Sequence, residues 1–277
     1  MTDLKPGVYI VRKADGTISY RASLSRKGKH ISLGSFPSEE AAHQAYAEAG
    51  RLLTDPGVRV DDLRQDSPLP FLKAVSLINL RDNGIYFGAP ILLGNRDFLY
   101  YLDRDDVYRF DLDDLFYYSS HRIMRRGSRL FVADYGSQIG IMSRFGIRSF
   151  AVAGRDYLFR NGDDHDLRYA NIVIINRYRG VLSYAERGFQ RYKAVIHVRG
   201  NFVIGHFDTE KEAAIAYNKA VDTLRQNGFR KNYELNYLED VGPSEYAEIY
   251  QRITLPRKIL DLRPSPSSPR DPQRSSD

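Results

Sequence analysis

The chain has no cysteine, no tryptophan and only three methionines among its 277 residues. Without cysteine there can be no disulfides and no thiolate zinc sites, which fits a reducing, cytoplasmic setting. Long apolar runs are missing as well. Nothing approaches the roughly 20 residues needed to span a bilayer, and the opening MTDLKPGVYI has no charged-then-apolar leader pattern. A soluble protein with no membrane partner is therefore expected. Phosphate-binding glycine loops, nucleophile elbows and dinucleotide fingerprints are likewise absent. These gaps exclude a secreted disulfide scaffold, a helical membrane protein and the commonest nucleotide-dependent enzymes.

What is present is a 42% apolar composition with 20 tyrosines and 14 phenylalanines, enough to build globular cores. The 41 basic residues outnumber the 35 acidic ones, giving a formal charge of +6. Such an excess permits a nucleic-acid partner only if the basic groups are sorted onto one surface.

The chain repeats itself. YRASLSRKGKHISLGSFPSEEAAHQAYAEA, from Tyr20, aligns with YKAVIHVRGNFVIGHFDTEKEAAIAYNKA, from Tyr192. Tyr20, Ala22, Leu24, Gly28, Gly34, Phe36, Ala42, Tyr46 and Ala49 match Tyr192, Ala194, Ile196, Gly200, Gly205, Phe207, Ala213, Tyr217 and Ala220 in order. In each copy a period-two alternation predicts two strands around a glycine turn, with an earlier strand at 7–12 or 180–184. A helix follows, its stripe carried by Ala42, Ala45, Tyr46, Ala49 and Leu53, or by Ala213, Ala216, Tyr217, Ala220 and Leu224. Thr209 with Glu212 has capping-box spacing, and Glu39 and Glu40 suit the start of the first helix. Small alanines let the helix sit close to the sheet and cover one of its faces. The other face, with Arg21, Ser23, Ser25, Lys29 and His30, stays free to read a groove or simply to meet solvent.

Between the copies lie short apolar runs, FLKAVSLINL, IYFGAPILL, DFLYYL, DLFYY and RLFVADY, broken by Gly, Asn and Asp. They suggest short strands more than long helices. An α+β fold is expected: two modules of a three-stranded antiparallel sheet plus one helix, at 1–53 and 179–240, flanking a β-rich domain at 71–178. Residues 54–70 read as a linker, 241–262 as an extension and 263–277 as a disordered Pro/Ser-rich tail. Asp103, Asp105, Asp106, Asp111, Asp113 and Asp114 form an acidic cluster without calcium-loop spacing, the pattern of a solvated face.

The repeat closely resembles the plant ethylene-response-factor (APETALA-type) DNA-binding domain, on YRA…LGSF…EEAA…AY in the first copy and GV…YKAVI…IGHFDTEKEAAIAY in the second. NYELNYL, residues 232–238, resembles the close of such modules. The resemblance implies a sheet lying in the major groove of double-stranded DNA, braced by its helix. Position by position it implies groove contacts from Tyr9, Lys13, Ser23, Ser25, His30 and Ser32. In the second copy they fall at Leu182, Tyr184, Val195, His197, Asn201 and Val203, with Arg187, Arg191, Lys193 and Arg199 on phosphates. The plant domains use tryptophans and arginines where this chain has Ser, Tyr, Val and His, so their target sequences do not transfer.

GRDYLFRNGDDHDLRYANIVIINRYRGV, residues 154–181, resembles the distal half of HNH homing endonucleases. FDLDDLFYYSSHRIMRRGSRLFVADYGSQIGIMSRFGI fits the start of that family more loosely. The resemblance puts Asp156 and Asn171 at ligand positions, Tyr157 in place of the water-activating histidine and Ser143 in place of an earlier one. A tyrosine, with a pKa near 10, is a poor base at neutral pH, and losing a positioned base typically costs about 10²–10⁴-fold. His121 and His165 are out of register and read as surface histidines. The expectation is a cytoplasmic, DNA-associated transcriptional regulator derived from an HNH endonuclease, needing no cofactor or metal, with possible homodimerisation through its centre. The alternative is an active homing or nicking endonuclease, which would require Mg2+.

Overall fold

A computed structural model describes residues 4–12, 14–26 and 28–264. Lys13, expected in the groove, Lys27 of the first turn and most of the tail expected to be disordered lie outside the described residues. The fold is α+β, with small antiparallel sheets and short helices. Among the described residues no helix is long and apolar enough to cross a membrane. The chain divides into two compact units, Met1–Phe145 with Phe159–Ile172, and Gly146–Leu158 with Val173–Asp277.

In the first unit, strands β1 (Val8–Arg12), β2 (Ile18–Arg26) and β3 (Lys29–Phe36) form a sheet in that order. Helix α1 (Glu39–Thr54) follows, its first turn capped by Ser38, whose Oγ accepts the Ala41 N–H at 3.2 Å. Ala42, Ala45, Ala49, Leu52 and Leu53 of α1 bury Ala22, Ile31, Leu33 and Phe36 of the sheet. The presumed linker, 54–70, adds Val58, Val60, Leu63 and Leu69 to this same core. The Arg104 guanidinium further fixes it by donating to the carbonyls of Leu63 and Arg64, both at 2.7 Å. Its Pro, Gly and Asp content describes a chain that turns often, not one that is free.

FLKAVSLINL is a helix, α2 (Phe71–Asn83), and not a strand. A short apolar run cannot distinguish a buried strand from a buried helix. Here every residue from Ala74 to Leu80 is buried, and Gly84 ends the helix at φ +72°. Asn79 is buried but satisfied, donating to the Ile85 carbonyl at 2.8 Å and accepting from Leu93 N–H at 2.9 Å. The expected strands do occur beyond it: β4 (Ile91–Leu93), β5 (Asp97–Tyr101) and β6 (Val107–Asp111) make one sheet. DLFYY instead enters helix α3 (Leu115–Ser120), before the sheet of β7 (Ile123–Arg126), β8 (Arg129–Asp134) and β9 (Ser137–Gly140). Strands β10 (Tyr157–Phe159) and β11 (Ile172–Ile174) form a short two-stranded sheet.

In the second unit β12 (Val181–Glu186), β13 (Phe189–His197) and β14 (Asn201–Phe207) form a sheet that packs on α4 (Glu210–Gln226). Thr209 Oγ1 accepts the Glu212 N–H at 3.2 Å, the cap expected from its spacing. The extension forms α5 (Pro243–Arg252) and α6 (Arg257–Leu260), whose Ile249, Ile253, Leu255 and Ile259 join the core of α4. Lys219 on α4 donates to the carbonyls of Tyr250 and Ile253, at 2.6 and 2.8 Å, where α5 leaves carbonyls without helical partners.

Candidate nucleic-acid interface

The two repeats share a backbone device as well as a residue pattern. Gly7 and Gly180 precede the first strand of each at φ +76° and +70°, and a Cβ there would overlap the ring of Tyr46 or Tyr217. Their carbonyls accept the N–H of Ser23 and Val195, at 3.0 and 2.7 Å. Both sheets then slip register at the matching point. Ala22 faces Gly34 but Ser23 faces Ser32, and Ala194 faces Gly205 but Val195 faces Val203. The extra residue is a β-bulge, which twists the sheet and re-aims the side chains beyond it.

In the first module the register sets Tyr9 beside Arg21 and Arg21 beside Ser35, with Ser25 beside His30. Tyr9, Arg21, Ser25, His30 and Ser32 are exposed on the face away from α1. Two expectations change. Ser23 is only 3% exposed, so it is not available to a groove. Lys29 faces Arg26 and by alternation stands on the same side as Leu24 and Ile31, not with His30. It remains exposed because that end of the sheet runs past the buried core.

In the second module Leu182 faces Lys193, which faces His206, and Tyr184 faces Arg191. Val195 pairs with Val203 and His197 with Asn201, so all of these share the outward face. Several are tied to one another. The Tyr184 hydroxyl and His206 Nδ1 are hydrogen-bonded at 2.8 Å, His197 Nδ1 lies 2.9 Å from Asn201 Oδ1, and Arg191 pairs with Asp208. Val195 and Val203 are half-buried. Arg187 sits at the hairpin tip at φ +51°, before Gly188 at +85°, the two positive values of a type I′ turn. Arg199 Nη2 donates to the Arg263 carbonyl at 2.6 Å. His206 was missed in the sequence, although counting alternate residues across from Lys193 reaches it.

The residues matching the nuclease ligands are fully engaged in holding loops. Asp156 is 4% exposed. One of its oxygens accepts the Val152 N–H at 2.9 Å and Arg155 Nη2 at 2.5 Å, while the other accepts Asn176 Nδ2 at 3.2 Å. Burial opposes its charge, but the Arg155 guanidinium and these N–H groups outweigh it and hold the carboxyl below its ordinary range. Asn171, in the other unit, accepts the Asn161 N–H at 2.9 Å and donates to the carbonyls of Asp163 and Asp166, at 3.2 and 2.8 Å. Tyr157 begins β10, and Ser143 Oγ donates to the Gly140 carbonyl at 2.7 Å.

Neither out-of-register histidine is a plain surface residue. His165 stacks on Tyr108 with ring centres 4.6 Å apart, beside Asp164 and Asp106, and His121 stacks on Tyr117. The acidic run is not uniformly solvated either, since Asp114 is 0% exposed and pairs with Arg144. Asp163, Asp164 and His165 bring ligand atoms within 4.8 Å of one another. The two aspartates are exposed, and Asp163 accepts the His165 N–H at 2.9 Å, so this carboxylate shapes the turn. Compared with protein-family models, curated proteins and solved structures, the chain matches none.

Proposed function

We propose that the chain is a sequence-specific double-stranded-DNA-binding protein that regulates transcription. Each module would set the face of its sheet away from the helix into a major groove, as its resemblance to APETALA-type domains implies. The observation that carries this reading is a scaffold built twice, each time leaving open a face rich in hydrogen-bonding side chains. Arg21 and Lys193 stand on those faces as cations for phosphates. His30, Ser32, His197 and Asn201 can donate to or accept from base edges, and Val203 can meet thymine methyl groups. Two linked readers gain affinity through effective concentration.

The resemblance to HNH endonucleases supports descent from an enzyme whose modules were kept. At the matching positions Asp156 spends its oxygens on Arg155, Val152 and Asn176, which favours binding over cleavage. Such a regulator works in the cytoplasm, associated with DNA.

Selection of bound duplexes from a random pool tests the proposal. Enrichment of a defined site is expected, with His30→Ala and His197→Ala shifting the bases preferred. Arg21→Ala and Lys193→Ala should weaken binding to all sequences. Recovery of no preferred sequence, or indifference to all four substitutions, overturns it.

A further inference from the structure

The first unit carries a second cluster of basic side chains outside its repeat. From Leu115 to Ala133 the chain has no acidic residue, yet it carries Arg122, Arg125, Arg126 and Arg129. The hairpin of β7 and β8 gathers them. Met124 faces Phe131 and Arg126 faces Arg129, so these four share one face, and alternation adds Arg122 just before β7. Arg125 falls on the opposite face and is occupied by the Asp106 carboxylate, at 2.7 Å, and the Tyr108 hydroxyl.

The remaining three arginines are left over. Elsewhere in this unit Arg51, Arg64, Arg109, Arg144 and Arg168 each pair with a carboxylate, while Arg21, Arg59 and Arg96 stand apart from one another without an ion pair among the described residues. Among the described residues Arg122 and Arg129 have no hydrogen-bond or ion-pair partner. Arg126 has only the face of the Phe131 ring, 5.8 Å away, which holds its guanidinium in place. Like charges directly opposite one another destabilise a hairpin unless an anion lies between them. The turn Leu102–Asp106 and the edge of β7 border a shallow concavity of about 640 Å³, with Arg122, Arg125 and Arg126 on the strand side and Asp103 and Asp106 on the other.

A second feature sits at the end of the same sheet away from Arg126 and Arg129 and near Arg122. Tyr135, at the β8–β9 turn, is fully exposed and held at φ +45° before Gly136 at +79°. A left-handed tyrosine is strained where asparagine would be at ease. Strain kept at an exposed aromatic tip points to a contact.

We propose that the open face of β7–β8–β9 is a third DNA contact, in which Arg126 and Arg129 at one end and Arg122 at the other grip the phosphate backbone, with Tyr135 touching it at the Arg122 end. The proposal rests on the DNA-binding reading, and charge complementarity chooses the occupant. The six residues of β8 extend about 20 Å at about 3.3 Å each. A duplex presents about one phosphate per 1.7 Å of axis, so the face is long enough for three contacts. The contact carries no base preference.

The test measures duplex affinity of the full chain against salt for three proteins: wild type, Arg122→Ala/Arg126→Ala/Arg129→Ala, and a control of equal charge loss, Arg64→Ala/Arg96→Ala/Arg160→Ala. The first triple variant should lower the log–log salt slope by about 2 to 3, at about 0.9 per contact, with an unchanged selected sequence. The control should keep the wild-type slope. Tyr135→Asn should weaken binding while raising the melting temperature. If the alanine triple does not melt cooperatively, glutamine replacements read the same slope.

An unchanged slope in the first triple, or an equal fall in the control, overturns the inference and leaves the modules' role standing. So does a loss confined to inorganic phosphate or free nucleotide as titrant. Failure of the wild type to bind any duplex would remove the DNA-binding reading itself.

Discussion

The first and second modules share a skeleton and differ in what they hang on it. Gly7 and Gly180, the bulges at Gly34 and Gly205, and the caps Ser38 and Thr209 occupy matching places. On the outward faces the likeness ends. The first offers Tyr9, Arg21, Ser25, His30 and Ser32, exposed and without side-chain ties to one another among the described residues. The second has tied most of its polar groups together, Tyr184 to His206, His197 to Asn201 and Arg191 to Asp208, around two half-buried valines. Backbone geometry is fixed by steric needs that tolerate few residues. An outward face has no such constraint, so it is where two copies can diverge. On the proposed reading, the first would adapt on contact, and the second would present a pre-organised surface that loses less side-chain entropy on binding.

The sharpest way to break this comparison is at the shared skeleton. Gly180→Ala forces a side chain into a left-handed backbone and against both the Tyr217 ring and the Val195 carbonyl. Overpacking and φ strain together should cost about 2–5 kcal/mol. At Gly7 the nearest obstacle is the half-buried Tyr46 ring, which can shift more than the buried Tyr217, so Gly7→Ala should cost less. Urea unfolding measures both. Equal, small losses would mean that the glycines are not what aligns the two modules.

The next largest effect separates a structural from a catalytic Asp156. Asp156→Ala strips acceptors from the Val152 N–H and Asn176 and strands Arg155, costing about 2–3 kcal/mol. Supercoiled plasmid incubated with the wild type and Mg2+ or Mn2+ should stay intact. Cleavage that disappears in Asp156→Ala would restore the nuclease reading.

Much of the modules was legible in the sequence because their signals are local. Alternation, a glycine turn, a cap and an alanine stripe each act within a few residues. Ser23 escaped because it keeps its outward alternation with Arg21 and Ser25 and is buried all the same, which alternation cannot announce. Lys29 was legible, since counting alternate residues back from Ile31 puts it on the side away from His30. FLKAVSLINL and the 54–70 stretch escaped because their state depends on partners distant in the chain: α1 on one side, and a core that Val58, Val60, Leu63 and Leu69 complete. Of the site, the outward residues of β12–β14 were legible. The internal pairing of His206, and the engagement of Asp156 by Arg155, are facts of three-dimensional contact.

In each unit a buried carboxylate is held below its ordinary range by an arginine, Asp166 in the first and Asp156 in the second, which gives a pH test. Arg168, at 2.6 Å, holds the Asp166 carboxyl below its ordinary range in the first unit, and Asp156 is held low in the second. A folded pKa below the unfolded value of about 4 means that the stabilisation is present above that pH. It is lost as pH falls through the lower folded value. Asp166→Asn and Asp156→Asn should therefore reduce the stability difference between about pH 7 and about pH 3. An unchanged acid limb in either variant would remove that carboxylate from the account.

The smallest effect sharpens the comparison most directly. Tyr184→Phe removes only the bond to His206 on the second face, an exposed contact worth about 0.5–1 kcal/mol. If the face is pre-organised, most of that loss appears in DNA affinity, as a fall of about two- to fivefold, with little change in melting temperature. Tyr9→Phe on the first face has no comparable internal bond among the described residues to lose. It should matter only if the hydroxyl meets DNA directly, and its effect should then vanish on duplexes lacking the preferred site. Equal affinity losses on specific and random duplexes for Tyr184→Phe would mean that the pair supports phosphate contact and not base reading.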